Sequence, residues 1–325
     1  MLKRPRRNRR NEAVRNMVQE NHIRVHDLIY PLFIKNTFGE KEEISSMPNI
    51  FRWSKDNILK EIGECINLGI HNFVLFPVVD ESLKDSKASY SYSSDNFYLE
   101  VIENIKKEFP QISLMSDVAM DPYSSDGHDG LVKNGEILND ESVDILKKMS
   151  LAQAQAGIDI IGPSDMMDGR VGAIREFLDN NSYKNTAIMA YTAKYASAFY
   201  GPFRDALDSA PKFGDKKTYQ MNPANSKEAL IEAKLDVEEG ADFLMVKPGL
   251  PYLDIIHSLS QNFNIPITAY NVSGEYAMVH AASQKGWLDY DKVMVESLLS
   301  FKRAGASAIL TYFAKDFAKL EKNDL

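Results

Sequence analysis

Short apolar segments alternate with longer amphipathic segments along this chain of 325 residues. Each apolar segment has the length and the β-branched content of a buried strand, and each amphipathic segment repeats its apolar residues at helical spacing. The predicted strands are Asp27–Ile34, Asn72–Val79, Ile112–Val118, Ile158–Gly162, Ala187–Thr192, Phe243–Val246, Ile267–Tyr270 and Ala308–Tyr312. The predicted helices are Ile58–Leu68, Phe97–Phe109, Ser142–Ala156, Val171–Leu178, Ser226–Glu239, Tyr252–Asn262 and Tyr276–Lys302.

Eight strands that alternate with helices predict an α/β protein of the (β/α)8 class, a TIM barrel with an outer ring of helices. An open doubly wound sheet is the alternative. It is disfavoured because no Gly-x-Gly-x-x-Gly segment follows a strand and no phosphate-binding glycine-rich loop occurs. Gly157, Gly240 and Gly305 each stand between a helix and a strand, where left-handed turns are predicted. We predict a single catalytic barrel domain at 26–325 and an extended N-terminal arm at 1–25.

The composition excludes several classes of protein. The chain has 46 acidic and 38 basic residues and a net charge of −8, which argues against a nucleic-acid partner because phosphate backbones reward basic surfaces. No apolar run approaches the roughly 20 residues needed to cross a membrane. Cys65 is the single cysteine, which excludes an internal disulfide and predicts a buried structural role. These features favour a cytoplasmic protein.

The N-terminal arm departs from this acidic composition. Glu12 is the only acid among its first fifteen residues, whose basic members are Lys3, Arg4, Arg6, Arg7, Arg9, Arg10 and Arg15. Three interpretations stay open at this point: a transit peptide, a nucleic-acid-binding arm, or an arm that docks on an acidic protein surface. The acidic remainder of the chain favours docking on protein, including a second copy of the chain.

Two lysines stand at the ends of neighbouring predicted strands, where barrel enzymes carry their catalytic groups. Lys194 follows the fifth strand, and Lys247 follows the apolar run Leu244–Val246 in the sixth. A solvated lysine has a pKa of about 10.4, so only about one in 2,500 is neutral at pH 7. An apolar pocket beside a second cation lowers that pKa, and the neutral amine then forms an imine with a ketone or an aldehyde. A single lysine here would more often be structural, but the pair favours imine chemistry.

Further charged residues surround these strand ends. The third strand ends near Asp117, and Asp121 and Asp129 follow it. Arg204 and Lys216 lie in the segment after Lys194 and are suited to bind carboxylates. From the residues alone, we therefore predict an imine-forming barrel enzyme that acts on a carboxylated carbonyl compound.

Three segments carry a closer likeness: Lys194–Arg204 reads KYASAFYGPFR, Met245–Gly249 reads MVKPG, and Tyr270–Tyr276 reads YNVSGEY. With them the chain resembles the porphobilinogen synthase family, also called δ-aminolevulinic acid dehydratase, from Arg4 to Tyr312. The resemblance implies the same barrel with an N-terminal arm. It also implies a hydro-lyase that condenses two 5-aminolevulinate molecules to porphobilinogen with loss of two waters, an early step of tetrapyrrole (heme) biosynthesis.

The resemblance assigns roles to individual residues. Lys247 matches the lysine that holds the substrate destined for the propionate side of the pyrrole. Lys194 matches its partner, which holds or activates the second substrate. Ser273 and Tyr312 match the hydroxyl pair that binds the carboxylate of the first substrate.

The second carboxylate is assigned by the same resemblance to Arg204 and Lys216, with Gln220 adjacent. The family carries Arg or Lys at the position of Lys216, so this part of the clamp is a point charge here. Asp117 stands where it could assist proton transfer or hold the second amine, which is a hypothesis from position.

The resemblance also bears on metals. Zinc-dependent members place three cysteines where this chain has Ala119, Asp121 and Asp129, and carboxylates are poor substitutes for thiolates at zinc. The chain therefore resembles the zinc-independent branch, with no catalytic zinc expected. Asp121 and Asp129 suit either a hard cation or the amine of the second substrate. Glu232 matches the glutamate that binds an activating Mg²⁺ in many bacterial members.

The family's arm embraces neighbouring subunits, so the resemblance implies a homo-octamer and turns the basic arm into a subunit contact. Two alternatives to the dehydratase remain. One is another imine-forming barrel enzyme of the class I aldolase type, which has no use for two carboxylate clamps. The other is a non-catalytic barrel assembly protein, which would not need both lysines.

Overall fold

Eight parallel strands close into a barrel in the computed structural model, which describes residues 1–207, 212 and 214–323. Each strand pairs with its neighbours in chain order, and the last pairs with the first, with Leu28 opposite Ile309. All eight predicted strands are confirmed, each within two residues at its ends. The strands, β1 to β8 in chain order, are Leu28–Lys35, Asn72–Val78, Ser113–Val118, Ile160–Pro163, Ala187–Lys194, Phe243–Lys247, Ile267–Asn271 and Ala308–Thr311.

The core fills the barrel and the layer between the barrel and its helices. Strands β1 and β2 are buried almost throughout, as expected when helices cover the outer face of a parallel sheet. Inside, the rings of Phe33 and Phe76 lie 5.7 Å apart between centroids, and the ring of Phe203 contacts both. The carboxyl-terminal mouth of the barrel is therefore lined by aromatic rings.

Helices follow the strands in the order that the amphipathic pattern predicts. Six of the seven predicted helices are confirmed, as α2 to α5, α7 and α8. The helices, α1 to α11 in chain order, are Glu12–Met17, Asn57–Asn67, Phe97–Glu108, Asn139–Gln155, Arg170–Asn180, Gly201–Leu207, Glu228–Glu238, Leu253–Asn262, Ser273–Gln284, Tyr290–Ala304 and Ala314–Asn323.

The prediction of one helix over Tyr276–Lys302 is wrong, because two helices, α9 and α10, occupy this stretch. Gly286 adopts a φ of 70°, a left-handed conformation that stops a helix. Asp289 then starts the next helix, where its side chain accepts a hydrogen bond from the amide of Lys292 at 3.1 Å. Apolar residues recur at helical spacing on both sides of this break, so the sequence pattern predicts one continuous helix.

The turns predicted at Gly157, Gly240 and Gly305 are confirmed, since each glycine has a φ between 101° and 108°. Two short antiparallel hairpins were not predicted, because strands of three residues leave no periodic signal. Their strands are Lys41–Glu43 with Phe51–Trp53, and Leu131–Lys133 with Glu136–Leu138.

The arm precedes the barrel as an exposed segment that contains the short helix α1. The side chain of Asn11 accepts a hydrogen bond from the amide of Val14 at 3.0 Å and so caps this helix. Among the described residues, no helix combines the length and the apolar composition that a membrane crossing requires.

Candidate active site

Lys194 and Lys247 lie side by side at the carboxyl-terminal ends of β5 and β6, where they are partners in the parallel register. Both side chains are buried, with 6% and 4% of the residue exposed. The carbonyl of Lys247 accepts hydrogen bonds from the amide of Tyr195 at 2.9 Å and from the hydroxyl of Tyr200 at 3.1 Å. The structure thus brings the two lysines together and fixes the backbone of one against the segment that follows the other.

The amine of Lys247 is surrounded by aromatic rings. Its Nζ atom lies 4.6 Å from the ring centroid of Tyr270, 4.8 Å from Phe203, 5.3 Å from Tyr191 and 5.4 Å from Tyr200. None of the ion pairs between described residues includes it. Burial, reinforced by the nearby charge of Lys194, lowers the pKa of Lys247 to about 7.

The turn after Lys247 depends on a glycine. A Cβ atom at Gly249 would lie 2.4 Å from the ring of Phe301 and 3.0 Å from the carbonyl of Tyr270. The absence of a side chain lets the turn pack directly on α10 and on β7. Glu275, fully buried in α9, accepts hydrogen bonds from the amides of Gly249 at 3.0 Å and Leu250 at 3.2 Å.

The amine of Lys194, unlike that of Lys247, is surrounded by charged and polar groups. It donates to the carboxylate of Asp129 at 2.9 Å and to the backbone carbonyl of Ser164. The other carboxylate oxygen of Asp129 accepts from Lys216 at 2.6 Å, and Lys216 also contacts Asp121 at 3.2 Å. Burial opposes the charge on Asp129, but the two ammonium groups outweigh it and hold the pKa of that carboxyl well below its usual range. Burial alone would lower the pKa of Lys216, yet Asp121 and Asp129 raise it.

Asp117 lies at the end of β3 near both lysines. Burial raises the pKa of this carboxyl to about 6, with Lys247 and Lys194 opposing the rise and Asp121 adding to it. Its position at the strand end agrees with the sequence-based expectation, and its pKa lies close to neutral pH.

The hydroxyl pair assigned to the first carboxylate is buried at the ends of β7 and β8. Ser273 begins α9, and its Oγ atom accepts a hydrogen bond from the amide of Phe203 at 3.0 Å. The hydroxyl groups of Tyr312 and Tyr270 are 2.8 Å apart. The ring of Tyr270 also borders Lys247, so Tyr270 connects the amine with this hydroxyl pair.

The remaining clamp residues are Arg204, Lys216 and Gln220. Arg204 lies half-buried on α6 and makes no ion pair with the described part of the chain. Lys216 pairs with Asp121 and Asp129. Gln220 is buried and lines a surface cavity of about 920 Å³ that neither Lys194 nor Lys247 lines.

Sequence reasoning missed the aromatic rings around the amine of Lys247. It also missed the hydrogen bonds from the turn after Lys247 to Glu275. Tyr200 and Phe203 stand inside the KYASAFYGPFR segment, and Tyr270 and Glu275 stand inside YNVSGEY. The signal was present as aromatic residues close to the lysines in sequence. Only the folded barrel shows that these aromatic rings surround one amine.

Glu232 lies half-buried on α7, outside the lysine cluster, and lines the same surface cavity as Gln220. Burial, together with Asp236 and Asp168, raises the pKa of Glu232 to about 7, although Arg170 opposes the rise. One carboxylate oxygen of Asp236 is buried without a hydrogen-bond partner. The other oxygen of Asp236 pairs with Arg170 at 3.4 Å, so the orphaned oxygen is the feature here that fits a cation held by Glu232.

The three positions that the resemblance assigns to zinc ligands do not carry a zinc-binding set of side chains here. Ala119 offers no ligand, and Asp121 and Asp129 are engaged by lysines. Across the described ranges, no three His, Cys, Asp or Glu side chains are grouped to hold a metal ion.

A closed barrel that holds a low-pKa amine beside a carboxylate-paired lysine defines a TIM-barrel enzyme equipped for imine chemistry. The family model described as "Delta-aminolevulinic acid dehydratase" matches residues 2–320. The chain therefore belongs to the delta-aminolevulinic acid dehydratase family.

Relatives of this name cover almost the whole chain. The delta-aminolevulinic acid dehydratase of Bradyrhizobium diazoefficiens is 53% identical over 97% of this chain and 90% of the relative. The chloroplastic enzyme of Physcomitrium patens is 54% identical over 97% of this chain and 73% of the relative. The crystal structure of the Toxoplasma gondii ME49 enzyme, in complex with the reaction product porphobilinogen, superposes with a TM-score of 0.99 at 52% identity and covers 100% of this chain and 93% of that one.

Proposed function

We propose that this chain condenses two 5-aminolevulinate molecules to porphobilinogen and that Lys247 is the nucleophile. The observation that carries the proposal is the state of Lys247, a buried amine with a pKa of about 7 and no ion pair among the described residues. About half of such amines are neutral at pH 7, compared with about one in 2,500 solvated lysines. The amine is therefore ready to attack a ketone.

The first substrate binds through its ketone and its carboxylate. The neutral amine of Lys247 attacks the ketone carbon, the ketone oxygen leaves as water, and a carbon–nitrogen double bond forms. The hydroxyl groups of Ser273 and Tyr312 bind the carboxylate. Ser273 stands at the amino-terminal end of α9, where the helix dipole adds positive potential for a carboxylate.

The second substrate binds to Lys194 at the end of β5 and to residues that follow it. Arg204 and Lys216 bind its carboxylate with help from Gln220, and Lys194 holds its ketone. Arg204 supports this role because its guanidinium has no ion pair within the described residues. Lys216 approaches this carboxylate from its place beside Asp129.

Asp121 and Asp129 bind the ammonium group of the second substrate in this proposal. The alternative, a bound hard cation, is disfavoured because Lys194 and Lys216 already bring two ammonium groups to Asp129. Both lysines would repel a divalent metal ion about twice as strongly as the singly charged ammonium group of a substrate. An amine of the substrate can instead exchange with one of the lysines.

The condensation forms two bonds between the substrates. Carbon 3 of the second substrate loses a proton and bonds to the ketone carbon of the first, and the amine of the first bonds to the ketone carbon of the second. Both ketone oxygens leave as water, Lys247 is released, and a final proton loss gives the pyrrole. Asp117, with a pKa of about 6, is suited to accept and return these protons near neutral pH.

An activating Mg²⁺ bound by Glu232 forms part of the proposal, with no catalytic zinc. The position of Glu232 in the surface cavity and the orphaned oxygen of Asp236 support it. Mg²⁺ keeps most of its waters, so one or two protein carboxylates suffice. When bound, Mg²⁺ would supply positive charge to this acidic group of side chains. It would take no part in the condensation itself.

The proposal also includes the oligomeric state of the protein and its location in the cell. The exposed arm is basic while the whole chain has a net charge of −8, so the arm suits the acidic surface of another copy. We propose a homo-octamer built through these arms. A cytoplasmic location accords with a single, buried cysteine, although the plant relatives are named chloroplastic.

The reaction is tested by incubating the purified chain with 5-aminolevulinate and measuring porphobilinogen by mass spectrometry. Parallel samples contain a chelator, added Mg²⁺ or added Zn²⁺. We expect porphobilinogen after zinc removal and more of it with Mg²⁺. No pyrrole under any of these conditions would overturn the proposed function.

A further inference from the structure

A buried hydrogen-bond network joins the ends of strands β6, β7 and β8. Its centre is Glu275, which has no exposed surface and lies in the first turn of α9. One oxygen of its carboxylate accepts from the amides of Gly249 and Leu250, just beyond Lys247 at the end of β6. The carboxylate is therefore fixed to the turn that carries the nucleophile.

The other carboxylate oxygen of Glu275 accepts a hydrogen bond from the side-chain amide of Asn271, the last residue of β7. The oxygen of that amide accepts from the hydroxyl of Thr311 at 2.8 Å, at the end of β8. Thr311 in turn accepts from the amide of Phe313 at 3.2 Å. All of these side chains are buried, so water does not compete for the bonds.

Each joined strand end is adjacent to one contact of the first substrate. Strand β6 ends with Lys247, Ser273 follows β7 by two residues, and Tyr312 directly follows β8. The network thus ties the amine to both hydroxyl groups through the backbone. None of its members needs to touch the substrate.

We propose that Glu275 is a positioning residue that, through Asn271 and Thr311, fixes the distance between the Lys247 amine and the hydroxyl groups of Ser273 and Tyr312. This inference rests on the proposed function, because the amine binds the ketone and the hydroxyl groups bind the carboxylate. A fixed distance admits ketone acids whose two groups are separated by the right number of carbons. Glu275 therefore sets the chain-length selectivity of imine formation.

The variant Glu275→Gln tests this directly. Burial raises the pKa of Glu275 to about 8, so trapping is run near pH 9, where the carboxylate of the parent chain accepts a hydrogen bond from every neighbour. An amide of the same size then places one donor against another. Glu61→Gln is the matched control. Glu61 is also buried, but it lies on α2 and pairs with Lys315 at 2.7 Å, outside the network.

Three probes are trapped on Lys247 with borohydride, and the adduct is quantified by peptide mapping. They are 4-oxopentanoate, which has the substrate's spacing without its amine, 5-oxohexanoate, which is one methylene longer, and butanone, which has no carboxylate. In the parent chain we expect 4-oxopentanoate to react at least about tenfold faster than 5-oxohexanoate, since one misplaced methylene costs roughly 10- to 200-fold.

In Glu275→Gln we expect this ratio to fall to within about threefold, while the rate for butanone changes by less than about twofold. Glu61→Gln should keep the ratio of the parent chain. An unchanged ratio in Glu275→Gln, or an equal loss for all three probes, would overturn the positioning role while leaving the proposed function intact. No adduct from any probe in the parent chain would overturn the proposed function itself, and this inference with it.

A second variant keeps the inference testable if Glu275→Gln does not fold. Thr311→Val keeps the shape of the side chain and removes the hydroxyl at the far end of the network. We expect the same narrowing of the ratio to a smaller extent, with an unchanged circular dichroism spectrum. If Glu275→Gln does not fold, a full parental ratio in Thr311→Val overturns the inference.

Discussion

Lys194 and Lys247 are paired in register on adjacent strands, yet their amines lie in opposite surroundings. Lys194 bonds to Asp129 and to the carbonyl of Ser164, and a third cation, Lys216, shares the same carboxylate. Lys247 is enclosed by aromatic rings without an ion pair among the residues described. Register alone therefore does not decide which lysine is the nucleophile.

The difference comes from the loop after β3. That loop supplies Asp129 to Lys194 and leaves Lys247 in an apolar pocket, where burial lowers the pKa of its amine. The charge of Lys194 also contributes to the lowered pKa of Lys247. The paired lysine is thus part of what makes the unpaired one reactive.

The largest expected effect comes from Lys247→Met, which removes the amine and keeps an apolar side chain. We expect porphobilinogen formation to fall by at least about 10³-fold, because loss of a covalent nucleophile leaves only binding and positioning. Product is measured by mass spectrometry. Lys285→Met, at an exposed lysine stacked on Trp287, should leave the rate unchanged. Equal rates in the parent chain and Lys247→Met would assign the chemistry to another group.

Asp129→Asn removes the charge that distinguishes the two lysine environments. We expect the free energy of unfolding to fall by about 3–5 kcal/mol, since two buried ammonium groups lose their shared partner. The pKa of Asp129 is depressed in the folded chain, so its contribution is present above about pH 4 and is lost as the pH falls toward the native pKa.

Urea unfolding of Asp129→Asn at neutral pH measures this loss. Asp215→Asn is the control, because Asp215 pairs with Lys217 at an exposed site. If both variants unfold at the same urea concentration as the parent chain, the buried cluster does not depend on Asp129.

Glu232→Ala tests whether Mg²⁺ binds at Glu232, away from both lysines. We expect the affinity for Mg²⁺, measured by calorimetry, to fall at least about tenfold, and activation by Mg²⁺ to weaken in parallel. Activity without metal should be unchanged. Glu238→Ala, at an exposed residue on the same helix, should bind Mg²⁺ as the parent chain does. Unchanged binding in Glu232→Ala would show that the magnesium assignment is wrong.

The smallest expected effect is a shift of a pH profile. In Lys194→Met, the Lys247 amine loses a neighbouring cation, so its pKa should rise. Borohydride trapping of 4-oxopentanoate needs the neutral amine, and the pH of half-maximal trapping should therefore move upward. A profile that stays in place would mean that burial alone lowers the pKa of Lys247.

The sequence was sufficient to predict the barrel because apolar runs reveal the strands and glycines reveal the turns before several of them. Glycines such as Gly157 and Gly240 mark the turns, and apolar runs such as Phe243–Val246 mark the strands. Counting strand ends also placed Lys194 beside Lys247. The break at Gly286 was missed because apolar spacing continues across it, while its left-handed conformation leaves no periodic trace.

The distribution of charge in the site could not be predicted in the same way. Spacing along the chain does not reveal that Lys216 pairs with Asp121 and Asp129, which come from a loop about 90 residues earlier. Contacts between loops depend on how each loop crosses the barrel mouth, and spacing along the chain carries no information about that. For the same reason, the ring of Tyr270 beside Lys247 became apparent only in the fold.

The most direct test of the account is the pH dependence of lysine trapping in the parent chain. The protein is incubated with 5-aminolevulinate, reduced with borohydride across pH 5 to pH 10, and the adduct is assigned by peptide mapping. We expect the first adduct to form on Lys247, with half-maximal yield near its pKa of about 7. A first adduct on Lys194, or a Lys247 adduct that appears only near the pKa of a solvated lysine, about 10.4, would contradict the account.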